Sequence, residues 1–178
     1  MKFLVKILII FGVVCYVFGI YLIWERNNPN RLAFAGYEES YKGTVDGPNL
    51  PVRITIKNVG IDLPVFPATM QSGKWDITNK GALYLASSPI PGEVGNSIIY
   101  AHDWVSLFGP LKNARQGDVV EVEYADKTKK TFVVKSTLIV PYSQPSVLSS
   151  TEDRRITLYT CTGFFDSQRF VVVALLKN

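Results

Sequence analysis

Three side chains in the sequence are of the types that acyl transfer requires: the thiol of Cys161, the imidazole of His102 and the guanidinium of Arg169. A thiolate attacks a carbonyl carbon, an imidazole protonates the leaving amine near neutral pH, and a guanidinium stabilises the tetrahedral oxygen. His102 is the only histidine, so it is the default candidate for proton transfer. We therefore predict these three residues as the catalytic set.

Each of the three residues stands at the end or the start of a predicted strand, where side chains can reach a cleft. Cys161 follows the run 156–160, His102 follows the run 97–101, and Arg169 opens the last strand. Across a short loop, one antiparallel strand begins beside the end of the preceding strand, so Arg169 is expected to face Cys161. Taken singly, the residues have plainer interpretations: an inert core cysteine, a structural histidine and a solvated arginine. Spacing alone does not show that they meet.

The chain that must position these residues is organised as short strands from residue 52 onward. Alternating or apolar runs of four to seven residues are bounded by turn-forming segments, which is typical of strands. Residues 104–111 are predicted as a short helical turn, 125–130 as a hairpin turn and 138–151 as a loop. The predicted strands are 52–57, 63–66, 82–86, 97–101, 119–124, 131–135, 156–159 and 170–176. About eight strands with one or two short helices predict an all-β fold with a closed or sandwich-like architecture.

The first residues predict a single transmembrane helix. The run from Ile7 to Trp24 carries no charge and would span about 27 Å of hydrocarbon as a helix. Its length exceeds the apolar core of a signal peptide, so an uncleaved anchor is favoured, although residues 33–35 match a cleavage pattern. Lys2 and Lys6 favour a cytoplasmic N-terminus at the plasma membrane and an extracytoplasmic domain. The predicted organisation is an anchor over 1–24, a stalk or linker over 25–51 and a catalytic domain over 52–178.

Composition and charge exclude several other classes of protein. The net charge is +4, and two of the basic residues flank the anchor, so the remainder is nearly neutral and offers no nucleic-acid footprint. One histidine cannot anchor a multi-histidine metal site, and no metal or other cofactor is predicted. Of the two cysteines, Cys15 lies in the apolar run and cannot pair with Cys161. Cys161 is therefore a lone thiol.

Three stretches of the sequence carry a resemblance to the sortase family. The run 157–161 (TLYTC) with Arg169 downstream resembles the T-L-x-T-C…R signature of sortases. Residues 92–102 resemble the histidine segment of the family, G-x-x-G-N-x-x-x-x-G-H. Phe108, Leu111 and residues 117–122 match its F-x-x-L…G-D-x-V-x-V stretch. The resemblance covers roughly residue 52 to the C-terminus.

This resemblance implies a sortase-like closed β-barrel and a cysteine transpeptidase acting on secreted proteins with a C-terminal sorting signal like Leu-Pro-x-Thr-Gly. Cys161 would form the thioacyl intermediate, His102 would be the general acid and base, and Arg169 would hold the substrate carbonyl or oxyanion. Thr160 would contribute to substrate binding, and residues 138–151 would form the specificity loop. A cell-envelope amine, from a peptidoglycan precursor or a pilin lysine, would resolve the intermediate. No cofactor is implied.

The sequence departs from the family pattern at two points. Ala101 replaces the usual glycine before the histidine, and the short spacing from Cys161 to Arg169 looks more like class D, E or F sortases than class A. Within enzymes, the alternative is a sortase-like hydrolase or a pilin polymerase, which differs in the acceptor. Outside enzymes, the alternative is an anchored extracytoplasmic binding module that has lost the chemistry.

Overall fold

The structure, a computed structural model, describes residues 2–26, 32–37, 49–71 and 74–177. Its first element, α1, runs over Lys2–Arg26. Within α1, the segment Phe3–Glu25 is long and apolar enough to cross a membrane, and none of it is buried against the rest of the chain. This exposed apolar helix is consistent with a membrane anchor, and a signal sequence would share these properties. Most of the predicted stalk, residues 27–31 and 38–48, lies outside the described residues.

Eight strands close into a barrel in the order β1-β2-β5-β6-β9-β10-β8-β7, which confirms the predicted fold class. A small separate hairpin, β3 and β4, was not predicted. The bounds are β1 Pro51–Ile56, β2 Ile61–Ala68, β3 Met70–Gln71, β4 Lys74–Trp75, β5 Ala82–Leu85, β6 Gly95–Tyr100, β7 Val119–Tyr124, β8 Lys129–Pro141, β9 Arg154–Thr162 and β10 Gln168–Leu176. Four short 3-10 helices join the strands in the described part of the chain: Lys57–Val59, Gly109–Asn113, Pro145–Leu148 and Phe164–Asp166.

Several of the predicted boundaries were wrong, three of them close to the predicted catalytic residues. The loop predicted over 138–151 begins later, because β8 continues to Pro141 and pairs along β10 up to Gln168. Backbone pairing with a long neighbour therefore outweighs the turn-forming residues at that point. Cys161 likewise lies inside β9, which continues to Thr162, rather than after the strand. The helical turn predicted over 104–111 appears as a 3-10 helix that begins only at Gly109.

Alternation along the strands divides the apolar residues between two clusters. In β7, for example, Val120, Val122 and Tyr124 point into the barrel, while the residues between them face outward. The second cluster lies on the outer face of the sheet formed by β6, β9 and β10, and we call it the outer cluster. It consists of Leu32, Phe34, Ala68, Trp75, Leu83, Leu85, Ile98, Tyr100, Val140, Leu148, Tyr159, Cys161 and Val171. A side chain predicted to be catalytic thus belongs to an apolar layer outside the barrel.

The tyrosines of the outer cluster make the fold sensitive to alkali. Burial raises the pKa of both Tyr100 and Tyr159 above the ordinary tyrosine value. As the pH rises past about 10, the unfolded chain loses phenolic protons that the folded chain retains, so the free energy of unfolding should fall. The decline in the free energy of unfolding is measured by thermal melting of the full chain in detergent across this pH range. Tyr159→Phe should make it shallower, whereas Tyr142→Phe, at an exposed ring, should not; equal slopes would contradict the assignment.

Candidate active site

Cys161 and Arg169 are direct partners across β9 and β10. The antiparallel register pairs Arg169 with Cys161 and Phe170 with Thr160. Directly opposed residues of an antiparallel pair project from the same face with their Cβ atoms about 5 Å apart. The thiol and the guanidinium therefore share the outer face of the sheet, as the short connection predicted. Both are almost completely buried, Cys161 being 2% and Arg169 1% exposed.

His102 follows β6, which borders β9 on the edge opposite β10. Strand β6 runs parallel to β9, with Tyr100 paired to Tyr159. The contact continues one residue further, because the Ala101 amide donates to the Tyr159 carbonyl at 3.4 Å. The next residue in this register places His102 beside Cys161. The His102 ring is 5% exposed and stacks on Trp104 with centroids 4.8 Å apart and planes 11° apart.

Thr160 connects the strands that carry His102 and Cys161. Its side chain alternates with Cys161, so it points away from the outer face, and it is fully buried. The Thr160 hydroxyl donates to the Ala101 carbonyl at 2.9 Å, immediately before His102. This bond holds the end of β6 against β9 and thereby positions His102. The substrate contact predicted for Thr160 stays a prediction.

The Arg169 guanidinium is held by backbone carbonyls. Its NH1 group donates to the carbonyls of Asp166 and Gln168 at 2.7 and 2.9 Å, and its NH2 group donates to that of Ala33 at 2.7 Å. The Phe34 and Tyr142 rings lie 5.7 and 6.0 Å from its central carbon. Its Nε is buried and has no hydrogen-bond partner among the described residues. None of the three acceptors carries a formal charge, so they leave the positive charge of the guanidinium unneutralised.

Residues 32–37, which we call the N-terminal segment, cover this site. The Tyr159 hydroxyl donates to the Leu32 carbonyl at 3.1 Å, and the Ala35 amide donates to the Tyr142 carbonyl at 2.9 Å. The Phe34 ring meets Tyr159 edge-on at 5.1 Å. The sequence predicts this segment as part of the stalk. The apolar residues Leu32 and Phe34 within a polar stretch were the signal that could have found it.

Asn96 is a second residue whose role the sequence analysis missed. Its amide donates to the carbonyls of Val147 and Ser149 at 3.3 and 3.2 Å, and its oxygen accepts from the Thr157 hydroxyl at 2.6 Å. Residues 142–153, the loop that follows β8, are thereby fixed to both β6 and β9. A buried amide must have such partners, so an asparagine inside an apolar strand was the available signal.

The carboxylate next to His102 belongs to a different interaction. Asp103 forms an ion pair and hydrogen bond with Lys112, and both side chains are partly exposed. In the part of the chain that the structure describes, no group of three or more His, Cys, Asp or Glu residues is placed to hold a metal ion. The thiol, the imidazole and the guanidinium are the groups at this site that suit acyl transfer.

A closed β-barrel that gathers a cysteine, a histidine and an arginine at the ends of three neighbouring strands defines a narrow class of proteins. The family model for the sortase domain matches residues 54–177, which is most of the chain. The chain belongs to the sortase family, and the predicted resemblance is confirmed.

Individual relatives agree with this assignment. Sortase A of Listeria monocytogenes is 29% identical over 129 residues, which cover 70% of this chain and 55% of that protein. The chain therefore matches little more than half the length of this curated relative. The solved structure of L. monocytogenes sortase A has a TM-score of 0.58 and 26% identity, covering 72% of this chain and 88% of that one. Streptococcus agalactiae sortase C1 in complex with MTSET, at 21% identity, shares the fold with a TM-score of 0.60, covering 71% and 66%.

The packing of Phe34 predicts that the N-terminal segment controls access to the Cys161 thiol. In a Cys15→Ser background, Phe34→Ser should raise the rate at which a methanethiosulfonate reagent modifies Cys161 by up to about 100-fold, because losing a buried phenyl ring weakens docking of the segment by about 3 kcal/mol. The matched control is Phe66→Ser, which removes an exposed ring on β2. Equal modification rates in both variants would show that the segment does not shield the thiol.

Proposed function

We propose that this protein is a cysteine transpeptidase that cleaves a C-terminal sorting signal and transfers the acyl group to an amine of the cell envelope. The observation that carries the proposal is the register that sets Arg169 opposite Cys161, with His102 entering from the parallel strand on the other side. Membership of the sortase family supports the same chemistry. The catalytic roles of the three residues remain part of the proposal.

The reaction proceeds in two half-reactions. The Cys161 thiolate attacks the scissile carbonyl, and the resulting oxyanion is stabilised by Arg169. The C–N bond then breaks as His102 protonates the leaving amine, which leaves a thioester on Cys161. An incoming amine attacks the thioester and gives its proton to His102. The C–S bond breaks, which regenerates the Cys161 thiolate and forms a new amide.

The contact between Arg169 and Ala33 is the one that a bound substrate must displace. With the N-terminal segment docked, the Ala33 carbonyl accepts a hydrogen bond from the Arg169 NH2 group at 2.7 Å. Phe34 lies in the same apolar cluster as Cys161. In the proposed mechanism a substrate carbonyl takes over this donor. Productive binding therefore requires the N-terminal segment to withdraw, and the outer cluster then becomes the groove that receives the apolar part of the sorting signal.

The sorting signal is proposed to resemble Leu-Pro-x-Thr-Gly, with an apolar residue suited to the outer cluster. Residues 142–153, which Asn96 holds beside that cluster, are proposed to select among signals. Thr160 contributes to substrate binding through its place in the strand, next to Cys161. The acceptor is the amine of a peptidoglycan precursor or of a pilin lysine. A closer kinship to class D, E or F than to class A stays a prediction from the spacing.

We propose that α1 is an uncleaved single-pass anchor in the plasma membrane. Its exposed apolar surface and the flanking Lys2 and Lys6 support a cytoplasmic N-terminus and an extracytoplasmic catalytic domain. In this organisation residues 1–24 are the anchor, 25–51 the linker and 52–178 the catalytic barrel. The linker's docked part, residues 32–37, then joins the membrane to the active site.

The nucleophile is tested by trapping the acyl intermediate. Full-length protein incubated with Leu-Pro-x-Thr-like peptides and hydroxylamine should release a peptide hydroxamate, detected by mass spectrometry. Cys161→Ala should abolish it, because no other thiol lies at the site. Cys15→Ser, which removes the remaining cysteine, should retain full activity. Full activity of Cys161→Ala would refute the assignment.

The role of Arg169 is tested by keeping its charge and removing its planar fork. Arg169→Lys should lower kcat on the order of 10²-fold, the usual loss when one oxyanion donor is removed. The matched control is Arg155→Lys, near the opposite end of β9, where the arginine pairs with Asp153. A near-normal kcat for Arg169→Lys in the hydroxylamine assay would remove Arg169 from oxyanion stabilisation.

A further inference from the structure

We propose that the exposed pair Phe164 and Phe165 docks into the lipid–water interface of the membrane that holds α1, so that the active-site face lies against the bilayer. The inference rests on the membrane anchoring proposed above. It assigns a lipid surface as the partner of two phenylalanine side chains that the proposed catalysis does not use.

The connection between β9 and β10 presents two aromatic rings to solvent. Phe164 is 83% and Phe165 68% exposed, and their rings meet edge-on with centroids 4.4 Å apart. Bulky apolar side chains exposed together on one loop mark an interaction site. The loop follows Cys161 by three residues, so whatever binds it lies close to the active site.

The backbone of this loop holds an unfavourable conformation. Phe165 and Asp166 have φ angles of +50° and +56°, in the left-handed region that bulky residues rarely adopt. The Asp166 carbonyl accepts from the buried Arg169 at 2.7 Å, which fixes the loop from below. A strained conformation maintained by a buried partner keeps both rings pointing outward, and such strain is typical of functional positions.

Chain connectivity places this face near the membrane. Helix α1 ends at Arg26, and Leu32 is already bound to Tyr159 on the active-site face. Six residues reach at most about 21 Å even when fully extended. While the N-terminal segment is docked, the barrel cannot turn its active-site face away from the bilayer surface.

The end of α1 and the aromatic loop also border the same space. An open cleft between them is lined by Leu22 and Glu25 on the helix and by residues 163–166 on the loop. Tyr21 and Trp24, at this end of α1, are of the types that concentrate at membrane interfaces. The two phenylalanines therefore lie at the level of the helix where an interfacial belt is expected.

The charges around the loop indicate that lipid binding is apolar. The acidic side chains of Glu25 and Asp166 line the same cleft, so anionic headgroups gain nothing there. Insertion of the rings should consequently be insensitive to salt and to the content of anionic lipid. A second copy of the chain or another protein are the competing occupants, and the test separates them.

The test measures the depth of the loop in the full chain. In a Cys15→Ser, Cys161→Ala background, Phe164→Cys carries a nitroxide label, and the protein is reconstituted into phosphatidylcholine vesicles. Electron paramagnetic resonance then compares the accessibility of the label to oxygen, which enters lipid, and to a water-soluble nickel complex. We expect an oxygen-to-nickel ratio several-fold higher than for a label at Phe66→Cys, the exposed phenylalanine on β2. Phe165→Cys provides a second reporter should the first variant fold poorly.

Two results would overturn the proposal. Ratios equal to that of the Phe66 position would place the loop in water, and low accessibility to both reagents would indicate a protein contact instead of lipid. The measurement needs no turnover, so it is independent of the catalytic assignment. Absence of hydroxamate formation by the wild-type chain would refute the proposed function and leave the depth result standing.

Discussion

The pairing of β9 with β10 is the constraint on which the rest of the site depends. Because side chains alternate along a strand, shifting this register by one residue would move Arg169 to the opposite face from Cys161. The register is fixed by residue pairs that run from Gln168 with Thr162 to Leu175 with Arg155. On its other edge, β10 pairs with β8 over a similar length. The pairing of β9 with β10 thus aligns the Cys161 thiol with the Arg169 guanidinium. This alignment does not require a direct bond between the two side chains.

The environment of Arg169 shows how a buried cation is tolerated beside the Cys161 thiol. Backbone carbonyls accept its NH groups, and aromatic rings pack on it. Burying a guanidinium against neutral carbonyls is costly, but such acceptors leave its positive charge in place. In the proposed mechanism this charge stabilises the oxyanion, and the Arg169 donor that binds the Ala33 carbonyl is the one that substrate takes over.

The sequence predicted the parts of this structure that follow from local pattern. Alternating runs identified the eight barrel strands, and the short Cys161–Arg169 connection predicted that these two residues are paired. Contacts distant in sequence were not predictable, because no local pattern encodes them: Leu32 is 127 residues from Tyr159, and Asn96 is 53 from Ser149. The extension of β8 to Pro141 was missed for the same reason, since only its pairing with β10 overrides a turn-like composition. The catalytic roles themselves rest on the family resemblance and not on spacing.

The parallel pairing of β6 with β9 has a consequence for how the protein folds. Parallel neighbours cannot be joined by a hairpin, and the Thr160 bond to Ala101 closes a separation of 59 residues. Pairings between distant segments form slowly, because the chain entropy lost in closing the loop precedes the gain from contacts. Until β6 and β9 have joined, Cys161 has no imidazole beside it. In the proposed mechanism, a newly made chain therefore holds Cys161 apart from its general acid, and the catalytic centre forms only once the barrel is complete.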